Sequence, residues 1–467
     1  RCVFKHHVYL CVVSTALMAG LSLITSHTSK AYAEQNCGSK GGGVVKTISG
    51  GEPIVCDRSS GTRTLNSSGG GEIKIDMDKG SGKAAGAAVT VTGQGTNITI
   101  IAKKLTVKGG SGDKPVIKVY DGGALTLNEE VNVTGVTEMQ KAIVVEGQGS
   151  SVTLNGVLKG IERGEVKVSN EGMVVLGEKV TGIEEVKVKI NDGGMVTLME
   201  DVTFNNGSEA GIKITGSGAG KASVIGVGKT MTVTKGSGIE VEAGSGKVDA
   251  TVMMLKIKGG SGGTGEMTMN MVEVSGFTVG VNAKSGTVNI NGKSTIEVIA
   301  GGTGLWVGGT GNASMMGGKI TGSGGGSGTG MNVQNGTGTL TSVDISKFGK
   351  GVEATGGKLK INMGSITFES GRGNWGMKAS GEASATLTNM TIEGTGSGQG
   401  TGTGVVMESM GKTLTMMGVN ILQVKMGVKV ETGAVADLTK VTIKGGWGDG
   451  NGVICDGDGD NEWGGED

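Results

Sequence analysis

Asp456, Asp458 and Asp460 alternate with glycine in CDGDGDNEWGGED. Oxygen ligands at that spacing can wrap a hard cation such as Ca²⁺. Asn461 stands where a calcium loop wants glycine and no helical pattern flanks the stretch, so a solvated acidic end is the competing reading. Histidine chemistry is confined to the start: His6, His7 and His27 are all there are. Beyond residue 33 the chain therefore has no histidine for a Ser-His-Asp triad, a Cys-His pair or a His-ligated metal. Three Gly-Lys-Ser/Thr tripeptides, at Gly228, Gly292 and Gly411, invite a phosphate-loop reading. That loop needs a further glycine where Ser223, Thr287 and Val406 stand, so turns are expected. Glu129, Glu130, Glu184 and Glu185 are scattered rather than paired. A carbohydrate-active enzyme would need a carboxylate pair at glycosidase separation in a groove. No cofactor is called for.

Positioning any of these groups falls to an unusual chain. It has 96 Gly, 2 Pro and 36% hydrophobic residues among 467, with 43 basic and 43 acidic side chains. Glycine at that level suggests disorder, but disorder combines low hydrophobicity with high net charge, and this chain has a net charge of zero. The apolar residues must pack. Neutrality also removes the electrostatic case for nucleic acid or an anionic membrane surface.

In GVEATGGKLKINMGSITFES the pairs Val352/Ala354, Leu359/Ile361 and Ile366/Phe368 alternate with polar residues and are separated by glycine, which reads as three short strands. The pattern recurs. A Gly-apolar-x-small marker opens units at Gly280, Gly304, Gly330, Gly351, Gly376, Gly404 and Gly427, with steps of 24, 26, 21, 25, 28 and 23 residues. Repeats of this length with no helical period predict an all-β solenoid, a right-handed parallel β-helix of three-strand coils of about 24 residues. Glycine is expected at turns that need positive φ. Met331, Met377 and Met390 are expected inward, as core filler. The domain reading is a secretory signal over 1–33 cleaved after Ala33, a cap over 34–85, a β-helix over 86–446 and an acidic tail over 447–467. No later segment could cross a membrane as a helix, so no direct insertion of this segment is expected.

Export implies an oxidising compartment, where Cys37 and Cys56 are close enough in sequence to close a small disulfide loop. Cys455 is then odd, and is either a free thiol or paired outside the chain. Glycine-rich runs of unequal length, GGSGGTGE from Gly259, TGSGGGSGTG from Thr321, SGRGNWG from Ser370 and GTGSGQGTGTG from Gly394, are expected to line one edge of the solenoid. Arg372 and Trp375 on that edge are residue types that anchor interfaces. Tolerant connectors are the plainer reading of the same loops.

The leader CVFKHHVYLCVVSTALMAGLSLITSHTSKAYAEQNC, then PIVCD from Pro53 and the Gly/Val/Thr coils, resembles autotransporter passengers of the Bartonella type. The resemblance implies export through the periplasm, display on or release from the bacterial outer membrane, and a non-enzymatic virulence factor acting on host cells. For some members it implies an angiogenic factor signalling through a vascular growth factor receptor. The implied partners are a host cell-surface receptor or extracellular matrix. An adhesin or structural scaffold without signalling is the alternative, and a polysaccharide-active β-helix enzyme comes third. Such proteins carry a C-terminal β-barrel of many amphipathic strands, and none is present here before Asp467.

Overall fold

The computed structural model describes residues 35–38, 44–79, 86–110, 114–134, 142–161, 164–205, 210–216, 221–233, 239–243, 249–259, 268–283, 287–395, 401–431, 433–445 and 451–455. The expected leader with Ala33, and the tail residues Asp456, Asp458 and Asp460, lie outside them. The chain is a β-solenoid with about 25 residues per turn, whose strands pair in parallel, each with its counterpart one coil away. It divides into two compact units, 1–182 with 193–195 and 183–192 with 196–467.

In the first unit three strands per coil build three sheets, and alternation turns every second side chain inward. Parallel in-register pairing then stacks like on like. Val89, Ile117, Ile143 and Val166 form one column, Ile98, Leu125, Val152 and Val174 a second, and Ile73, Leu105, Val131 and Leu158 a third. All are buried. At roughly 1.5–3 kcal/mol per buried aliphatic side chain, these columns supply the main driving force for coiling.

The segment expected as a separate cap is itself coiled. Gln35–Asn36 pairs with Ile54–Cys56, which pairs with Val89–Thr92, while Val45–Ile48 pairs with Thr62–Ser67, which pairs with Asn97–Ile100. A disulfide joins Cys37 and Cys56, both fully buried, with Cα atoms 5.1 Å apart. Arg63 interrupts the apolar alternation. It stacks in register on Ile98 in an inward column, buried, with its Nε donating to the Ser60 carbonyl at 3.0 Å. A charged residue at a core position makes this stretch look unlike a coil. The coils also run beyond 446, because Asn451–Cys455 pairs with Met426–Val430 and places Cys455 beside Val430 in register.

In the second unit the seven marker glycines stack coil upon coil in one sheet. None has a positive φ, unlike the turn glycines Gly357 and Gly364 at φ 76° and 91°. Space is the reason for glycine at the markers. A Cβ on Gly351 would overlap both the carbonyl oxygen of Gly376 in the next coil and Cγ2 of Ile366. The same two neighbours recur at every marker: Gly280 faces Gly304 O and Ile296, Gly304 faces Gly330 O and Ile320, Gly376 faces Gly404 O and Ile392, and Gly404 faces Gly427 O and Ile421. A glycine ladder is thus packed against an isoleucine ladder. Met331 and Met377 stand in the adjacent inward column with Val352, Val405 and Val428, and Met390 is likewise buried.

Positive φ occurs at turns, among them the corner between the second and third strands of successive coils. Eight successive coils place there Met271, Gly292, Gly317, Ser342, Met363, Asn389, Gly418 and Lys440, with φ from 50° to 73°. Gly292, together with Gly228 and Gly411, is also a glycine of the Gly-Lys-Ser/Thr tripeptides, and all three have φ near +70°. Met363 is exposed and strained at φ 61°, and only its backbone is committed. Met363→Gly is therefore expected to raise the urea midpoint by the equivalent of about 0.5–1 kcal/mol, because relief of left-handed strain exceeds the added chain entropy. A lowered midpoint would show that the thioether, not the dihedral, matters there.

Candidate functional site

The glycine runs of the second unit are held, not loose. Residues 322–328 connect Lys319–Thr321 to Thr329–Val333, and residues 370–374 connect Lys358–Glu369 to Trp375–Ser380. Glu369 joins the two loops across an intervening coil. Its Oε1 accepts from the Gly325 amide at 3.0 Å, and its backbone oxygen accepts from Asn374 Nδ2 at 2.7 Å. The Gly301 amide donates to Ser327 Oγ at 3.2 Å, tying the first loop to the preceding coil. Gly349, at the short corner between them, has no room for a Cβ beside Gly326 O and Asn374. Two of the four expected loops are thus brought together on one corner. Residues 260–267 and 396–400 of the other two lie outside the described residues.

Arg372 is exposed on the second loop and makes no ion pair among the described residues. Trp375 differs from a free anchor. It opens a strand, half-buried, with Lys350 Nζ 4.7 Å and Lys378 Nζ 5.1 Å from its ring centroid. Among the described residues, its indole N–H is buried without a hydrogen-bond partner. Lys378 also pairs with Glu408 at 2.6 Å, and Lys350 lies 3.9 Å from Glu353. The arrangement is a charge-balanced patch in which two ammonium groups lie over the π-face of one indole.

Sequence reasoning missed both lysines. Lys350 is legible, since it precedes marker Gly351 as Trp375 precedes Gly376. Lys378 is not. Three residues from Trp375, it belongs on the opposite face by strict alternation, but Gly376 and Met377 both turn inward and reset the parity.

In the first unit the carboxylates alternate with lysine on the outer side of the third sheet. Glu72, Lys104 and Glu130 share one column, with Lys104 3.3 Å and Lys159 3.0 Å from Glu130. The hydrogen bond from Lys159 holds the Glu130 carboxyl below the usual carboxylate range, and that from Thr106 does the same for Glu72. In the second unit Lys412 lowers Glu382 likewise. A general acid needs its carboxyl raised, so these groups are ionised surface partners. Glu129, Glu184 and Glu185 are exposed.

Among the described residues, no group of three or more His, Cys, Asp or Glu side chains could hold a metal ion, and no helix is long and apolar enough to cross a membrane. Compared with known proteins, the chain matches no family model and no curated protein.

Proposed function

We propose that the chain is an autotransporter passenger, secreted or displayed on the bacterial surface, that acts on host cells as a non-enzymatic virulence factor. Its partner is a host cell-surface receptor, met through the corner that carries Arg372, Trp375 and the glycine loops. The observation that carries this reading is the tethering of those loops. Glu369, Asn374 and Ser327 hold segments of unequal length on a regular frame, and pre-ordered loops bind with a smaller entropy cost. The leader sequence and its small-x-small site support export, and the β-solenoid is compatible with a passenger.

The test is to add the protein in soluble form to cultured endothelial cells and follow growth-factor-receptor phosphorylation and proliferation. A dose-dependent response is expected. Joint Arg372→Ala and Trp375→Ala replacement is expected to weaken cell binding about tenfold or more. A folded protein that only retains cells on a coated surface would make it an adhesin instead. Shortening of added polysaccharide chains would make it an enzyme.

A further inference from the structure

Methionine in the second unit occupies two opposite environments. Met315, Met331, Met377, Met407 and Met416 are buried in the core. Met271, Met316, Met363 and Met417 are 54%, 57%, 43% and 48% exposed, and all four fall at the corner between the second and third strands, whereas Met199, 47% exposed, lies in an earlier coil and Met410, 75% exposed, at the turn before Thr413–Met417. Met271 and Met363 are the left-handed corner residues themselves, while Met316 and Met417 each precede the corner glycine of their coil. Counting coils by their corner residues, the exposed methionines occupy the first, third, fifth and seventh of eight. With parallel strands about 4.8 Å apart, neighbouring thioethers are separated by about 10 Å along this edge. None contributes to the core, and a large apolar side chain at an exposed corner has no packing reason to be methionine.

We propose that this row is a site of methionine sulfoxidation that consumes two-electron oxidants of the peroxide class while the buried thioethers stay reduced. The thioether sulfur lone pair attacks one oxygen of hydrogen peroxide, the O–O bond breaks and the S–O bond forms. Sulfur loses two electrons, the peroxide is reduced, and the proton on the transferred oxygen passes to the departing hydroxide, which leaves as water. The sulfoxide is polar and larger at sulfur, which would disrupt a core but is tolerated at a half-exposed corner. The spacing of two coils keeps each conversion independent of the next. This activity does not depend on the receptor reading.

Two chain-adjacent pairs provide the control. Met315 and Met316, and likewise Met416 and Met417, share sequence context but point to opposite sides of one strand, with 1% and 0% exposure for the inner members. Full-length protein is treated with hydrogen peroxide, quenched with free methionine, and each methionine scored by peptide mass spectrometry alongside far-ultraviolet circular dichroism. The four corner residues are expected to convert at least about tenfold faster than Met315 and Met416, as solvent access dictates, with the β signal retained. Met316→Leu with Met417→Leu is expected to lower peroxide consumption by two equivalents per chain. Equal rates within either pair in the folded protein, loss of the β signal on conversion of the row, or unchanged consumption by the double variant would each overturn the proposal.

Discussion

Gly351→Ala is expected to cost about 3 kcal/mol or more, although it adds one methyl group at a position with ordinary backbone dihedrals. The new Cβ meets Gly376 O on one side and Ile366 Cγ2 on the other. A side chain can shift to give room, but the carbonyl is fixed by the sheet, so the coils must separate and lose pairing on both flanking strands. Gly452→Ala is the control. It continues the same ladder but has nothing within 4 Å of the added Cβ, so its expected cost is below about 0.5 kcal/mol. Ile366→Ala should relieve only part of the Gly351→Ala penalty, because the carbonyl remains. Urea denaturation of the four variants, read with amide exchange because stacked repeats need not unfold in one step, measures all terms. Equal effects at Gly351 and Gly452 would mean that the ladder is not close-packed.

Joint replacement of Cys37 and Cys56 by alanine is expected to remove about 3 kcal/mol from the first coils, since the bond closes a loop of 19 residues in sequence separation. The effect should be local. Gln35–Asn36 gives the coil only a two-residue pairing with Ile54–Cys56, whereas Val145 and Val168, farther along the first unit, lie in columns paired over whole strands. In a stack with nearest-neighbour coupling, destabilisation decays coil by coil. Hydrogen exchange of residues 54–67 should therefore accelerate while residues 143–154 keep their protection. Equal acceleration across both would show that the first unit opens as one cooperative body.

The repeat was legible because alternation has a period of two and the marker recurs every 21 to 28 residues. The positions of Gly280 to Gly427, the inward methionines and the strand triplets could be read directly. The reason for the marker glycines could not be, since a close approach of carbonyl and methyl group leaves the same signature as a tight turn. The corner residues that do need positive φ are disguised by being Met, Ser, Asn or Lys as often as Gly. The first coils were hidden by Arg63 in an inward column and by very short strands. Of the candidate patch, Arg372 and Trp375 could be chosen by residue type. Of the lysines over the indole, Lys350 could be read from its place before marker Gly351, whereas Lys378 required knowledge of the parity reset at Gly376.

The pairing of each marker glycine with the isoleucine of its own repeat has a genetic corollary. The junctions from Gly280 to Gly427 share this contact, so unequal recombination between two like segments of the gene there leaves the packing unbroken. Excision of 351–375, for example, brings the carbonyl oxygen of Gly376 against Gly330 in place of that of Gly351, while Gly330 keeps Ile345 and Gly376 keeps Ile392, and the contact is reproduced. Such a lineage can lengthen or shorten its protein by whole storeys, and can shuffle surface corners among them, without first evolving a new interior.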